Sequence, residues 1–213
     1  MHLNLEGIIM ARQARVVAPG YPHHITQRGN RRQQTFFEDQ DYRRYLTFLD
    51  EACTEQQVEV WAYCLMPNHV HLIVVPKMPE SLSAAIGKAH RRYTLAVNSR
   101  MCWTGCLWQG RYNSFPMDET YLLAAVRYVE RNPVEAGLVS APEDYLWSSA
   151  RHHVALKNDP IVKHSPLQML VGDWRSYLMD TNDPEKVTSI QQAERVRQPL
   201  GDIHGMCPPK RYR

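Results

Sequence analysis

The chain has 213 residues, 44% of them hydrophobic, which is enough to bury one core of its own and fits a single domain with an appendage. The formal charge of +3 permits a polyanionic partner without demanding one, and no apolar run reaches the roughly 18 residues of a membrane span. The first residues, with Glu6 early, lack the basic and then apolar order of a secretory signal, and five cysteines without a second close pair beside Cys102 and Cys106 read as reduced thiols, so a cytoplasmic protein with no membrane partner is expected.

Segment 21–27, "YPHHITQ", is rich enough in β-branched and aromatic residues for a first strand, and "RGNRR" ends it in a Gly-Asn turn. Tyr42, Tyr45, Leu46, Leu49, Ala52 and Cys53 recur at helical spacing over 40–57. Strands over 58–65 and 69–75 follow, joined by so short a turn that they should pair as an antiparallel hairpin. A second helix over 81–98 has the stripe Leu82, Ala85, Ile86, Ala89 and Tyr93, and shows Lys88, Arg91 and Arg92 on its other face. "CLWQGRYNSFPM" is a fourth strand. A third helix opens at Asp118 or Glu119, and Pro133 and Gly137 in "NPVEAG" should stop it.

The first six elements make a βαββαβ order, an α+β fold of the ferredoxin-like kind: a four-stranded antiparallel sheet with its helices on one face. The third helix and a helical extension are added to it. The expected division is a first domain over 1–139 and, over 140–213, packed helical segments followed by a weakly structured basic tail. Charge is zoned along the chain. Residues 1–35 hold five arginines and one acid, 36–75 two basic and seven acidic residues, and 77–111 six basic residues and one acid. Such zoning suits an electrostatic track for a phosphate backbone.

In a strand, residues i and i+2 point the same way, so His69 and His71 project together while Val70 and Leu72 enter the other face. Two imidazoles so placed can bind one divalent ion, although ten histidines in the chain make one such pair unsurprising, and two hydrogen-bonded histidines at a sheet rim are the plain alternative. With arginine-rich flanks and no apparent acid beside them, the pair suits a ligand that brings its own negative charge, as a phosphodiester does. Tyr128 and Asn132 stand i and i+4 on the third helix, where the amide oxygen can serve a metal and the hydroxyl a bound phosphate. Ordinary core packing is the competing role for Tyr128. No phosphate-binding G-x-x-x-x-G-K-[ST] run is present.

The blocks "ITQRGNRRQ", "AYCLMPNHVHLIVVP", "LWQGRYNSFPM", "YVERNPVEAGLV" and "YLWSSARHH", in this order over 25–153, resemble the REP-associated single-tyrosine transposases. These are similar to the IS200-like enzymes within the group of HUH endonucleases. The resemblance implies that His69 and His71 bind a metal, Mg²⁺ or Mn²⁺, that Tyr128 is the nucleophile, and that Asn132 completes or supports the metal site. It implies a DNA transposase that cuts single-stranded DNA beside a REP-like hairpin, forms a 5′-phosphotyrosine link, and rejoins strands. Relatives include monomers and dimers that exchange the tyrosine helix, so monomer and homodimer are both compatible with it.

Arg28, Arg31 and Arg32 by the first turn, with Lys88, Arg91, Arg92 and Arg111, are the candidate phosphate contacts, and Tyr112 and Trp103 are candidate base-stacking rings. His23 and His24 are assigned no part in the metal site, and His152 and His153 a packing role. Two rivals stand beside the transposase: a catalytically silent nucleic-acid-binding protein on the same sheet, and a hydrolase using metal-activated water, which would need an acid near the histidines. Glu130 lies on another side of the tyrosine helix.

Overall fold

The computed structural model describes residues 15–180, 184–196 and 200–201. Its elements run β1 (His23–Arg28), α1 (Asp39–Glu55), β2 (Val58–Met66), β3 (His69–Pro76), α2 (Ser81–Met101), β4 (Asn113–Pro116) and α3 (Glu119–Glu135). Four further helices follow: α4 (Ala150–Ala155), α5 (Leu167–Leu170), α6 (Trp174–Met179) and α7 (Pro184–Val196).

Pro67 and Asn68 alone link β2 to β3, and a connection that short forces an antiparallel neighbour. The sheet order is β2-β3-β1-β4, with every pairing antiparallel, which is the ferredoxin-like arrangement. Alternation along β3 sends Val70, Leu72 and Val74 into a core with Tyr45 and Leu49 of α1 and Leu82, Ile86 and Tyr93 of α2. Ile73 and Val75 enter a second core on the other face, with Phe115 of β4 and Leu122, Val126 and Val129 of α3. Helices therefore cover both faces. His69 and His71 share the parity of Ile73, so they belong to the face that carries α3.

Local signals explain the ends of the helices. Glu38 and Asp41 cap the start of α1 reciprocally, and Arg100 at the end of α2 bonds Asp41 Oδ2 at 2.6 Å, tying the two helices together. Asp118 accepts the Tyr121 N–H at 3.1 Å to begin α3. As expected, α3 ends within "NPVEAG", but not at its proline. It passes through Pro133 and ends where Gly137 takes φ +68°. A proline this close to a C-terminus leaves one carbonyl without its N–H and costs less than one in mid-helix. The expected fourth strand is also shorter than its sequence block. Trp108 makes only an isolated bridge to Gly29, and regular pairing begins at Asn113.

The extension after α3 is bound to the sheet. The Leu65 N–H donates to the Trp147 carbonyl at 2.8 Å and the Ser149 N–H to the Tyr63 carbonyl at 3.0 Å, so residues 147–149 cover the outer edge of β2. Residues 184–196, expected to belong to a weakly structured tail, form α7 instead, with Ile190 and Ala193 buried in the second core. Most of the "RVRQPLGDIHGMCPPKRYR" segment lies outside the described residues. Among the described residues no helix is long and apolar enough to cross a membrane.

Candidate active site

Five side chains from four elements meet at the α3 face of the sheet. β3 supplies His69 and His71, whose ring centroids are 4.9 Å apart. β1 supplies His24, stacked on His71 at 5.2 Å with its Nε2 3.0 Å from His71 Nδ1. Tyr128 of α3 stands edge-on to both imidazoles, 5.7 Å from His71 and 6.1 Å from His24. The Tyr128 hydroxyl donates to Glu194 Oε2 of α7 at 3.4 Å, and Glu194 Oε1 lies 3.7 Å from His24 Nε2 and 3.6 Å from His71 Nδ1.

Hydrogen bonds fix how the β3 histidines present themselves. The Asn68 amide nitrogen donates to the Arg32 carbonyl at 3.1 Å, which turns Asn68 Oδ1 toward His69 Nδ1 at 2.6 Å. That nitrogen must then carry the proton, and the Nε2 lone pair of His69 is left for a ligand. His71 likewise uses Nδ1 in its bond to His24. Metal-binding imidazoles are commonly held this way, by a bond from the nitrogen that does not ligate.

Burial keeps the rings neutral. It depresses His69, with help from the Arg28 charge, to about 3, and His24 to about 3. His71 is held well below its usual value by burial first and then by His69, His24 and Arg28. Neutral imidazoles are the form that binds a cation, so no proton need leave them at neutral pH. Burial also raises Glu194 to about 7, against the opposing effects of the Tyr128 hydroxyl and Arg28. The Tyr128 phenol is raised as well, by burial first and by the Glu194 charge second. His24, His71 and Glu194 form a group of three metal-ligand types with candidate atoms all within 4.8 Å of one another. Glu194 Oε1, buried and without a hydrogen-bond partner among the described residues, is an acceptor that a cation would satisfy.

Beside this cluster opens a cleft of about 440 Å³ lined by Thr26, Gln27, Arg28, Arg32, His69, His71, Gln109, Arg111, Asn113 and Glu194. Three guanidinium groups face one carboxyl there, a balance suited to a polyanion. Arg31 and Arg32 take positive φ, 53° and 62°, in a turn anchored by the Gly29 N–H on the Asn68 carbonyl and the Asn30 N–H on the Leu107 carbonyl. A Cβ on Gly29 would fall on the Gln33 carbonyl oxygen and lie 2.7 Å from Thr35 Cγ2, so only glycine lets this turn close on the segment that follows it.

The remaining predicted contacts fall elsewhere. Lys88 and Arg92 pair with Glu55 and Glu51 of α1, and with Arg91 they belong to the helix layer on the far side of the sheet from His71. Tyr112 is 7% exposed with Arg15 stacked 3.8 Å over its ring, so it offers no face to a base. Trp103 is exposed and stands edge-on to Phe37. The Asn132 amide donates to the Tyr128 backbone carbonyl at 2.8 Å and also lies close enough to the Tyr128 hydroxyl to oppose the rise in its pKa. Glu130 turns away, as expected, into a buried network. Two members of the site were not assigned from sequence: His24, adjacent to a second histidine of unlike role, and Glu194, distant in the chain.

The family model described as "Transposase IS200 like" matches residues 19–132. Among solved structures, a REP-associated tyrosine transposase bound to a REP hairpin superposes with a TM-score of 0.59 at 22% sequence identity, covering 73% of this chain and 92% of that one. A structure described as a transposase from Deinococcus radiodurans is more distant in shape, with a TM-score of 0.40 at 23% identity over 57% of this chain and 97% of its own. No curated protein matches. Family and site define a nuclease of the HUH tyrosine-transposase class, acting on single-stranded DNA with the help of a metal ion. The chain belongs to the IS200-like transposase family.

Proposed function

We propose that this transposase cuts single-stranded DNA beside a hairpin, with Tyr128 as nucleophile, and leaves a 5′-phosphotyrosine link and a free 3′-OH. The observation that carries this reading is the meeting of the Tyr128 ring with His71 at 5.7 Å, at the edge of an arginine-lined cleft. The bound REP hairpin of the similar structure supports the choice of substrate.

The residues that would hold the ion are His69 and His71 through Nε2, with Glu194 and Asn132 as the neighbouring oxygen donors; Mg²⁺ and Mn²⁺ both suit a site of this mixed kind. A divalent cation there supplies charge to a phosphoryl oxygen and to the departing 3′ oxygen. Arg28, Arg32 and Arg111 hold the strand by its phosphates and orient the scissile bond toward Tyr128. Burial disfavours the phenolate, so an acceptor for its proton is needed as the bond forms, and Glu194 stands at the hydroxyl. The Tyr128 oxygen bonds to phosphorus, the bond from phosphorus to the 3′ oxygen breaks, and the 3′ oxygen takes a proton. Attack of a 3′-OH on the link reverses the sequence, with the phenol as leaving group, so strands rejoin without a nucleotide cofactor.

The test uses end-labelled single-stranded hairpin DNA with Mg²⁺ or Mn²⁺ and a denaturing gel. The parent protein should give a covalent adduct that Tyr128→Phe abolishes while still binding DNA. Should Tyr128→Phe cut as well as the parent, the nucleophile assignment falls. His69→Ala and His71→Ala should depress cutting far more than binding.

A further inference from the structure

Asn68, in the turn between β2 and β3, is bound on two sides at once. Toward the arginine turn, its carbonyl accepts the Gly29 N–H at 2.8 Å and its amide nitrogen donates to the Arg32 carbonyl at 3.1 Å. Toward β3, its Oδ1 meets His69 Nδ1 at 2.6 Å. One residue thus joins a turn whose Arg32 lines the cleft to a histidine that lines the same cleft.

The two ends of an amide are opposite in character, and each partner here accepts only one of them. While the Arg32 carbonyl holds the amide nitrogen, the oxygen faces His69, the ring proton sits on Nδ1 and the Nε2 lone pair is open. Without that carbonyl the amide is free to turn over. Its nitrogen then donates to His69 Nδ1, the ring proton passes through solvent to Nε2, and the ligating lone pair is gone. The ring is neutral in both arrangements, so the choice lies between tautomers.

The carbonyl is placed by a strained turn. Arg31 and Arg32 are consecutive non-glycine residues at positive φ, 53° and 62°, and both are exposed. Such a conformation persists only where contacts outweigh its cost. Strand phosphates on the two arginine side chains would be contacts of that kind.

On the single-strand nuclease reading, we infer that Asn68 is a positioning residue that couples the arginine turn to the metal site. A strand held by Arg31 and Arg32 steadies the turn, the Arg32 carbonyl fixes the Asn68 amide, and His69 presents Nε2 to the ion. The amide is a two-state element that strand and cation bias toward the same state, so each favours the binding of the other.

The test follows His69 in the full-length protein by ring-nitrogen NMR, with a chelator keeping metal away, before and after single-stranded hairpin DNA is added. The strand should move His69 from a mixture of tautomers to the Nδ1–H form. A phosphate lying against Nε2 would draw the proton there instead, so the direction of the change marks the route through Asn68. In Asn68→Asp the side chain can only accept, and His69 should hold Nδ1–H with or without DNA. In Asn68→Ala His69 should not respond to the strand, and calorimetry without DNA should show Mn²⁺ bound about tenfold less tightly, a loss that the aspartate variant does not share. Should the strand bind and leave the tautomer of the parent unchanged, or should the alanine variant respond as the parent does, the coupling falls and the nuclease reading stands. Failure to bind any single strand takes down that reading, and the coupling with it.

Discussion

Glu130, two residues after Tyr128, is fully buried and receives three groups: Ser149 Oγ at 2.5 Å, His153 Nδ1 at 2.6 Å and Trp174 Nε1 at 2.8 Å. These partners come from α4 and its start and from α6, so one acid ties the extension to the tyrosine helix. Glu130→Ala strands three buried polar groups at once, and urea denaturation should show a loss of roughly 3–5 kcal/mol. Glu194 is different in kind, since its unpartnered oxygen lies beside the histidines. Replacing it as Glu194→Gln should weaken Mn²⁺ binding by calorimetry about tenfold; unchanged affinity would remove it from the ligand set. At Gly29 the added methyl of Gly29→Ala meets the Gln33 carbonyl oxygen and Thr35, and a drop of about 1–3 kcal/mol is expected in the same denaturation assay.

Among the elements, α2 shows where sequence and structure part. Its apolar stripe was legible because helical periodicity is local, and so were both strands of the hairpin. Its basic face was visible too, but not the acids of α1 that meet Lys88 and Arg92, because that pairing depends on how two distant helices dock. Lys88→Ala and Arg92→Ala should therefore leave DNA affinity nearly unchanged, whereas alanine at Arg28, Arg32 or Arg111 should weaken it and lower the salt dependence by about one unit per residue. His69, His71 and Tyr128 could be found from spacing and resemblance. His24 and Glu194 could not, since nothing local marks which of two adjacent histidines faces the site, or which acid of a late helix returns to it. The end of α3 was legible in "NPVEAG", although Pro133 lies inside the helix: it forbids one hydrogen bond, and packing of α3 on the sheet carries the helix past that loss.

At the scale of the molecule, neutral buried histidines set the response to acid. His90 lies in the core behind the sheet, bonded to Tyr45 Oη at 2.9 Å and stacked on Trp108 at 4.7 Å, and burial lowers it from 6.5 to about 3. Its native pKa is below the unfolded one, so its contribution is complete above pH 6.5 and is lost as pH falls toward 3. Within that window the slope is about 1.4 kcal/mol per pH unit. Urea midpoints measured from pH 7.5 to 5 should fall on acidification, and less steeply in His90→Gln. The order in which the site is assembled follows from where its parts lie in the chain. Translation delivers the imidazoles and the phenol first, and the carboxyl that touches the phenol is encoded 66 residues later. A growing polypeptide can thus bring phenol and histidines together before the acid has left the ribosome, so that the newborn and the finished protein differ by one carboxyl group beside the Tyr128 hydroxyl.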